Sequence, residues 1–290
     1  AEWERYNPAI STRNILEADI IWGVAGWCWN QIPREILENK LFVMTIHHIV
    51  PEKFTQDKIN EFLYRDRFVD LYHVPCIKTR DQISKLTSKP IFVQPFWVNQ
   101  SLWYPVLNKE ILREKYEVTG KYVVGSFQRD TEGSDLISPK LEKGPDIFCD
   151  IVESISNNNK DLHVILAGWR RQYVINRLNK SRINYTYYEL PEFSVINELY
   201  NILDLYIVGS RCEGGPQAIV ECASSETPIV STDVGYASNF LDNSAIFSIG
   251  DFENAIPNVK VAKKNVEKYF IPNGFIPFVN TFEGMISDKN

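Results

Sequence analysis

The sequence predicts an α/β protein built from parallel sheets covered on both faces by helices. Three observations carry that reading. Short apolar runs of strand type alternate with stretches of helical period, over short connections, which is the pattern of strand, helix, strand units rather than of hairpins. Residues 206–235, YIVGSRCEGGPQAIVECASSETPIVSTDVG, hold one such unit whole: a buried-type strand ending at Gly209, a turn with Gly214 and Gly215, a helix entered at Pro216, and an apolar strand from Pro228. Finally, 290 residues, 44% hydrophobic and 23% charged, suffice for two domains with separate cores.

In order, residues 1–17 show no clear period. A strand is expected at 18–24, a short helix at 33–38, a strand at 41–48, a polar helix from about 55, a strand at 68–74, a helix at 79–86 and a strand at 91–96. Residues 97–120 read as the crossing between domains, with one charged helix near 108–116. The second domain opens with a strand at 122–127, followed by Gln128-Arg129 and a polar loop through Gly133 and Pro139 to Lys143-Gly144. Helix 145–156, strand 163–168, helix 172–178 and strand 183–189 repeat the unit; the loop Leu190-Pro191-Glu192 leads into helix 194–203. After the central unit come a strand at 245–249, a basic helix around 260–270 and a last segment at 275–286. The expected division is 1–104 for the first domain, 105–274 for the second, and a final helix at 275–290.

Composition excludes several classes. The net charge of −6 leaves no basic excess to neutralise nucleic-acid phosphates. The five cysteines, at 28, 76, 149, 212 and 222, form no C-x-x-C pair and no even framework, so free thiols in a reducing, cytoplasmic setting are expected. No apolar run approaches the ~20 residues of a membrane span. The sequence shows no signal peptide and begins at Ala1 without a methionine, so Ala1 need not be the natural start.

The chemistry concentrates in the 206–235 unit. Proline suits the start of a helix because its missing N–H would be an orphan there, and the two glycines let a ligand approach the backbone, so the helix N-terminus can hold a phosphate. Glu213 and Glu221 frame the turn with seven residues between them. At about 1.5 Å rise per residue, Glu221 lies roughly 7–8 Å along the helix from the phosphate position, the distance of a ribose from a diphosphate. Glu221 then accepts from ribose hydroxyls while Glu213 reaches the group beyond the diphosphate. Spacing alone equally allows an amphipathic helix with acidic residues near its positive end. His47 and His48 sit where a strand exits toward the carboxyl edge of the first sheet, the edge where open α/β folds bind ligands, although a lone histidine there is commonly structural. Trp27 and Trp29 follow another strand end, suited either to stacking on a bound ring or lipid or to packing.

The central stretch resembles the signature of the retaining family-4 glycosyltransferases through Ser210, Arg211, Glu213, Gly214, Gly215, Pro216, Gln217, Glu221, Ala223, Pro228 and Gly235. The common form has Phe-Gly where this chain has Gly215-Pro216. The resemblance implies a GT-B fold, two Rossmann-like domains facing a cleft with a reduced first domain, and transfer of a sugar from a UDP- or GDP-sugar with retention of configuration. It implies that Glu213 faces the donor sugar, that the backbone at Gly215 to Gln217 holds the diphosphate, and that Glu221 binds the ribose. Thr45-Ile46-His47 matches a Thr-x-His of the family and puts His47 near the reacting sugar. Gly125, Arg129 and Lys143 fall where a Gly-Arg and a Lys-Gly clasp the diphosphate, assisting its departure without a metal or further cofactor. The loop at Pro191 falls where the family's backbone meets the base.

The expected partners are thus the nucleotide sugar and a glycan, lipid-linked or other hydroxyl acceptor, with no nucleic acid; peripheral membrane contact and a homodimer are further expectations. Two rival readings are a GT-B sugar-nucleotide epimerase and a non-catalytic sugar-nucleotide-binding subunit. A nicotinamide dehydrogenase is disfavoured because Gly125-Ser-Phe-Gln-Arg lacks the G-x-G-x-x-G fingerprint. Family-4 enzymes begin with a strand and Gly-rich turn for which residues 1–17 leave no room. Either the chain is a piece of a longer product or its first domain is naturally reduced, to about four strands against about six in the second. Weak transfer by the chain alone, restored by dimerisation or an added N-terminal segment, is the corresponding expectation.

Overall fold

The computed structural model describes residues 2–133 and 135–289; Ala1, Ser134 and Asn290, which fall within the expected domains and polar loop, lie outside the described residues. The chain divides into two compact units, one running to Trp97 and resuming at Tyr269, the other Val98–Lys268. The sequence expectation set these boundaries at 104 and 274. They shift because Trp103 and Tyr104 pack on the second unit, where the Tyr104 amide donates to Asn197 at 3.0 Å, whereas Gly274 sits against Trp97 of the first.

The first unit opens with a short helix α1 (Glu2–Tyr6), where the sequence shows no period because the segment is a single turn. Then follow β1 (Ile20–Gly23), α2 (Arg34–Asn39), β2 (Leu41–Thr45), α3 (Gln56–Asp66), β3 (Leu71–Val74), α4 (Ile77–Ile83) and β4 (Ile91–Val93). The four strands form one parallel sheet in sequential order, β1-β2-β3-β4. Its strands are shorter than the apolar runs that announced them, since residues such as Ile46 stay buried after pairing ends. Phe42, Met44, Tyr72, Val74 and Ile83 form the centre of its core.

The second unit contains α5 (Lys109–Lys115), β5 (Tyr122–Ser126), α6 (Pro145–Asn158), β6 (Leu162–Ala167), α7 (Gln172–Ser181), β7 (Tyr185–Tyr188), α8 (Phe193–Ile202), β8 (Leu205–Val208), α9 (Gln217–Ser225), β9 (Ile229–Thr232), α10 (Ala237–Phe240), β10 (Ile246–Phe247) and α11 (Val259–Val266). Its six strands are parallel in the order β10-β9-β8-β5-β6-β7. Strands β5, β6, β8 and β9 are almost wholly buried, as expected of a sheet with both faces covered. The last strand is only two residues long, against the five expected, because the chain turns away at Ser248–Asp251.

The final helix, α12 (Ile276–Lys289), belongs to the first unit. Phe278, wholly buried, lies within 6 Å of the rings of Trp22, His73, Phe92, Phe96 and Trp97, and Trp3 of α1 closes the cluster against Trp22, Trp97 and Phe282. Most of the N-terminal tryptophans are therefore packing groups. Trp29 is buried as well, while Trp27 stays 74% exposed. Among the described residues, no helix is long and apolar enough to cross a membrane.

Candidate functional site

Strand order in the second sheet reverses between β5 and β8, which are neighbours although two strands separate them in sequence. At such a switch point the connections leaving the carboxyl ends of the two strands run apart and open a crevice. Those connections are 127–144, leading to α6, and 209–216, leading to α9.

Glycines fix both turns. Gly144 is left-handed (φ 61°) and caps α6; a Cβ there would lie 1.8 Å from the Gly209 carbonyl oxygen, so no other residue lets the α6 N-terminus approach the end of β8 this closely. The amides of Arg211 and Cys212 both donate to the Glu142 carbonyl, at 2.9 and 3.1 Å, tying the loops backbone to backbone. Gly235 (φ 55°) lets the 233–236 turn press on the Gly214 carbonyl, and Gly215 leaves room for the Tyr236 ring, which a Cβ there would meet at 2.4 Å and whose hydroxyl donates to the Pro216 carbonyl at 3.2 Å. Pro216 has an extended ψ of 108° and is the cap of α9 rather than its first helical residue. Among the described residues, the amides of Gly214, Gly215, Gln217 and Ala218 have no acceptor. Four N–H groups at the entry to α9 are thus left without an acceptor beside the positive end of the helix dipole, the chemistry of an anion site.

Between the two helix starts, Lys143 and Glu213 form an ion pair at 2.7 Å, with side chains 22% and 8% exposed. The second Glu213 oxygen accepts from Ser210 Oγ at 2.7 Å. Arg129 shares a small cavity with Lys143, Gln128, Pro145 and Gly209, its Nε donating to the Thr131 carbonyl at 2.8 Å and its guanidinium 5.7 Å from the Trp169 ring. Arg211 is turned away, bidentate to Asp146 in the first turn of α6 at 2.8 and 2.6 Å.

Glu221 projects from α9 toward α8. Its Oε2 accepts from the Tyr200 hydroxyl at 2.7 Å, and burial pushes the carboxyl up to about 7 despite that bond. Tyr200 is itself buried against Trp103, Phe127 and Tyr206.

The structure therefore brings together Arg129, Lys143, Ser210, Glu213, Gly214, Gly215, Pro216 and Gln217, with Glu221 about one turn further along α9. Gly125 is not part of this group. It lies inside β5, and a Cβ there would meet the Leu203 side chain at 2.4 Å, so its small size serves sheet packing. Pro191 lies in the short turn between β7 and α8, after Leu190 in a left-handed conformation (φ 46°). His47 belongs to the first unit, two residues beyond β2, exposed, with its ring stacked on Phe96 at 5.8 Å. Its Nε2 lies 2.9 Å from the Val24 carbonyl, so Nε2 carries the proton and Nδ1 the lone pair in the neutral ring.

Several residues that support these positions escaped the sequence reading. Tyr236 and Tyr200 look like ordinary core aromatics. Arg171 looks like half of a solvated Arg-Arg pair, yet it is 1% exposed and bonded to Asp130 at 3.1 Å and to the Ser126 and Ala167 carbonyls, bracing the ends of β5 and β6. Burial pushes the Asp130 carboxyl up, against the pull of Arg171. In the first unit, His73 bridges Thr45 Oγ1 (3.0 Å) and the Gln94 carbonyl (2.7 Å), and burial lowers its pKa to about 4, so it is a neutral brace beneath the strand ends.

The family described as glycosyl transferases group 1 matches residues 136–259. Among solved structures, Anabaena HepE in complex with UDP superposes with a TM-score of 0.71 at 16% identity, covering 93% of this chain and 79% of that one. Its complex with UDP-glucose gives 0.70 at the same identity. Sucrose-phosphate synthase from Thermosynechococcus elongatus gives 0.71 at 13% identity, covering 94% and 75%. A glycosyltransferase from Rickettsia africae gives 0.64 at 18% identity, covering 92% and 76%. No curated protein matches the chain in sequence. The fold is thus of the GT-B type, as the sequence predicts, with four parallel strands in one unit and six in the other.

Proposed function

We propose that this chain is a glycosyltransferase that takes a sugar from a nucleoside diphosphate sugar and passes it to a glycan, lipid-linked or other hydroxyl acceptor, in the manner of the retaining family-4 enzymes. The observation that carries the reading is the Lys143–Glu213 pair between two helix N-termini at the switch point, beside amides that have no acceptor. The group 1 match over residues 136–259 supports it, as do the UDP and UDP-glucose complexes of a protein of the same fold.

In this reading the diphosphate lies on the amides of Gly214, Gly215, Gln217 and Ala218. A diphosphate carries more charge than one carboxylate, so it draws Lys143 from Glu213 and holds Arg129 as well; both cations then meet charge that grows as the diphosphate departs. Glu213, still held by Ser210, is left facing the sugar. Glu221 accepts from the ribose hydroxyls, and Pro191 lies near the base. The acceptor enters on the face the diphosphate leaves, which retains the anomeric configuration.

A thermal-shift panel of UDP- and GDP-sugars tests the donor class: a ligand at a hundred times its Kd stabilises by about 2.7 kcal/mol. With the donor so found, Lys143→Ala is expected to lower kcat by about a hundredfold, beyond any change in KM, because its partner's charge grows in the transition state. A raised KM with unchanged kcat assigns Lys143 to plain binding. Proton NMR of the first product formed tests retention, and an inverted linkage removes the chain from the retaining class.

A further inference from the structure

Resting on the reading of Glu221 as the ribose acceptor, we propose that Tyr200 is a positioning residue for nucleotide binding, holding the Glu221 carboxylate ionised and turned so that its remaining lone pairs meet the two ribose hydroxyls. The Tyr200 hydroxyl has one proton to give and gives it to Glu221 Oε2 at 2.7 Å, leaving Oε1 with no partner among the described residues. The phenol cannot swing away. Its ring is 1% exposed and wedged between Phe127 at 4.8 Å, Tyr206 at 5.5 Å and Trp103 at 5.9 Å, and its backbone carbonyl is taken by Thr227 Oγ1 at 2.9 Å.

The electrostatics give the bond a function beyond packing. The ionisable groups facing Glu221 are Tyr200 from α8, Tyr206 from β8 and Cys222 on its own helix, and burial raises all three so that none is charged near neutral pH. None of these neighbours is a cation. Desolvation pushes Glu221 toward its protonated form, and the Tyr200 hydrogen bond is what opposes it. A protonated Glu221 loses an acceptor site for ribose and adds a competing donor. Without the Tyr200 proton, more of the population at pH 7 is in that form.

The test measures calorimetric Kd values from pH 5.5 to 9 for UDP, GDP and ADP, and for the 2′,3′-dideoxy form of whichever binds tightest, with Tyr200→Phe and Glu221→Gln. In Tyr200→Phe, affinity for the ribose form is expected to fall about tenfold at pH 7 and to return to within about threefold of wild type at pH 9, while dideoxy affinity is unchanged throughout. Tyr200→Leu, the second variant should Phe fail to fold, carries the same expectation. Weakening that is equal at all pH values, or equal for the dideoxy form, reduces Tyr200 to a packing group and overturns the proposal. So does an unchanged Tyr200→Phe beside a weakened Glu221→Gln. If Glu221→Gln itself binds the ribose form like wild type, or if none of the three nucleotides binds, the donor-site reading beneath the proposal fails instead.

Discussion

At the residue scale, the site holds two carboxylates in different surroundings, one in an ion pair and one buried against a hydroxyl. Glu213 pairs with Lys143 and accepts from Ser210, while burial pushes the Glu221 carboxyl up to about 7 against the one hydroxyl bonded to it. Ribose hydroxyls favour the charged form, so nucleotide binding is expected to release close to one proton at pH 6 and almost none at pH 8.5. Calorimetry in buffers of different ionisation enthalpy reads this directly, and a proton count of zero at both pH values counts against the assignment. The same shift bears on stability. A carboxyl raised from about 4.5 to about 7 on folding contributes stability that is whole below pH 4.5 and is lost as pH rises through 7. At 1.36 kcal/mol per unit the loss is at most about 3 kcal/mol, less where water reaches the half-buried group. Glu221→Gln should flatten that decline in urea melts at pH 6 and 8.5. Spacing singled out Glu213 and Glu221 as candidates and the resemblance added Lys143; the pairing of Lys143 with Glu213 had no sequence signal, because it depends on two loops 70 residues apart meeting over Gly144 and Gly209. Arg171 was illegible for a related reason: nothing in an Arg-Arg pair tells which member turns inward to meet Asp130.

At the element scale, the two helix starts are positioned by glycines rather than by side-chain caps. Gly144→Ala places a methyl inside van der Waals contact with the Gly209 carbonyl and in a left-handed conformation, so the α6 start must retreat from β8. It is expected to lower nucleotide affinity at least tenfold while secondary structure by circular dichroism stays intact; an Ala variant with wild-type affinity would show that the close approach is dispensable. Most elements were readable from period and length. The exceptions are instructive. Helix α1 is one turn and is held by Trp3 against Trp22 and Trp97, a tertiary cause that no local period displays. Strand β10 was overread because apolar residues continue past its two paired positions, Ile246 and Phe247. The last helix, α12, carries Phe278 into the aromatic cluster of its unit, and Phe278→Ala should cost about 3–5 kcal/mol in denaturant melts that report on tryptophan fluorescence.

At the scale of the whole molecule, two parallel sheets of four and six strands were predictable because strands alternating with helices over short connections permit little else. Which neighbours the strands take was less accessible. The order β10-β9-β8-β5-β6-β7 puts the loops after β5 and β8 side by side, and the candidate donor site follows from that adjacency more than from any single motif. The central claim, that a nucleoside diphosphate sits on the starts of α6 and α9, is tested most directly by amide hydrogen exchange with and without saturating UDP. The account predicts slowed exchange concentrated in residues 141–148 and 210–222, with the amides of Gly214, Gly215, Gln217 and Ala218 most affected. Exchange unchanged in both segments, with protection arising elsewhere in the chain, would contradict it.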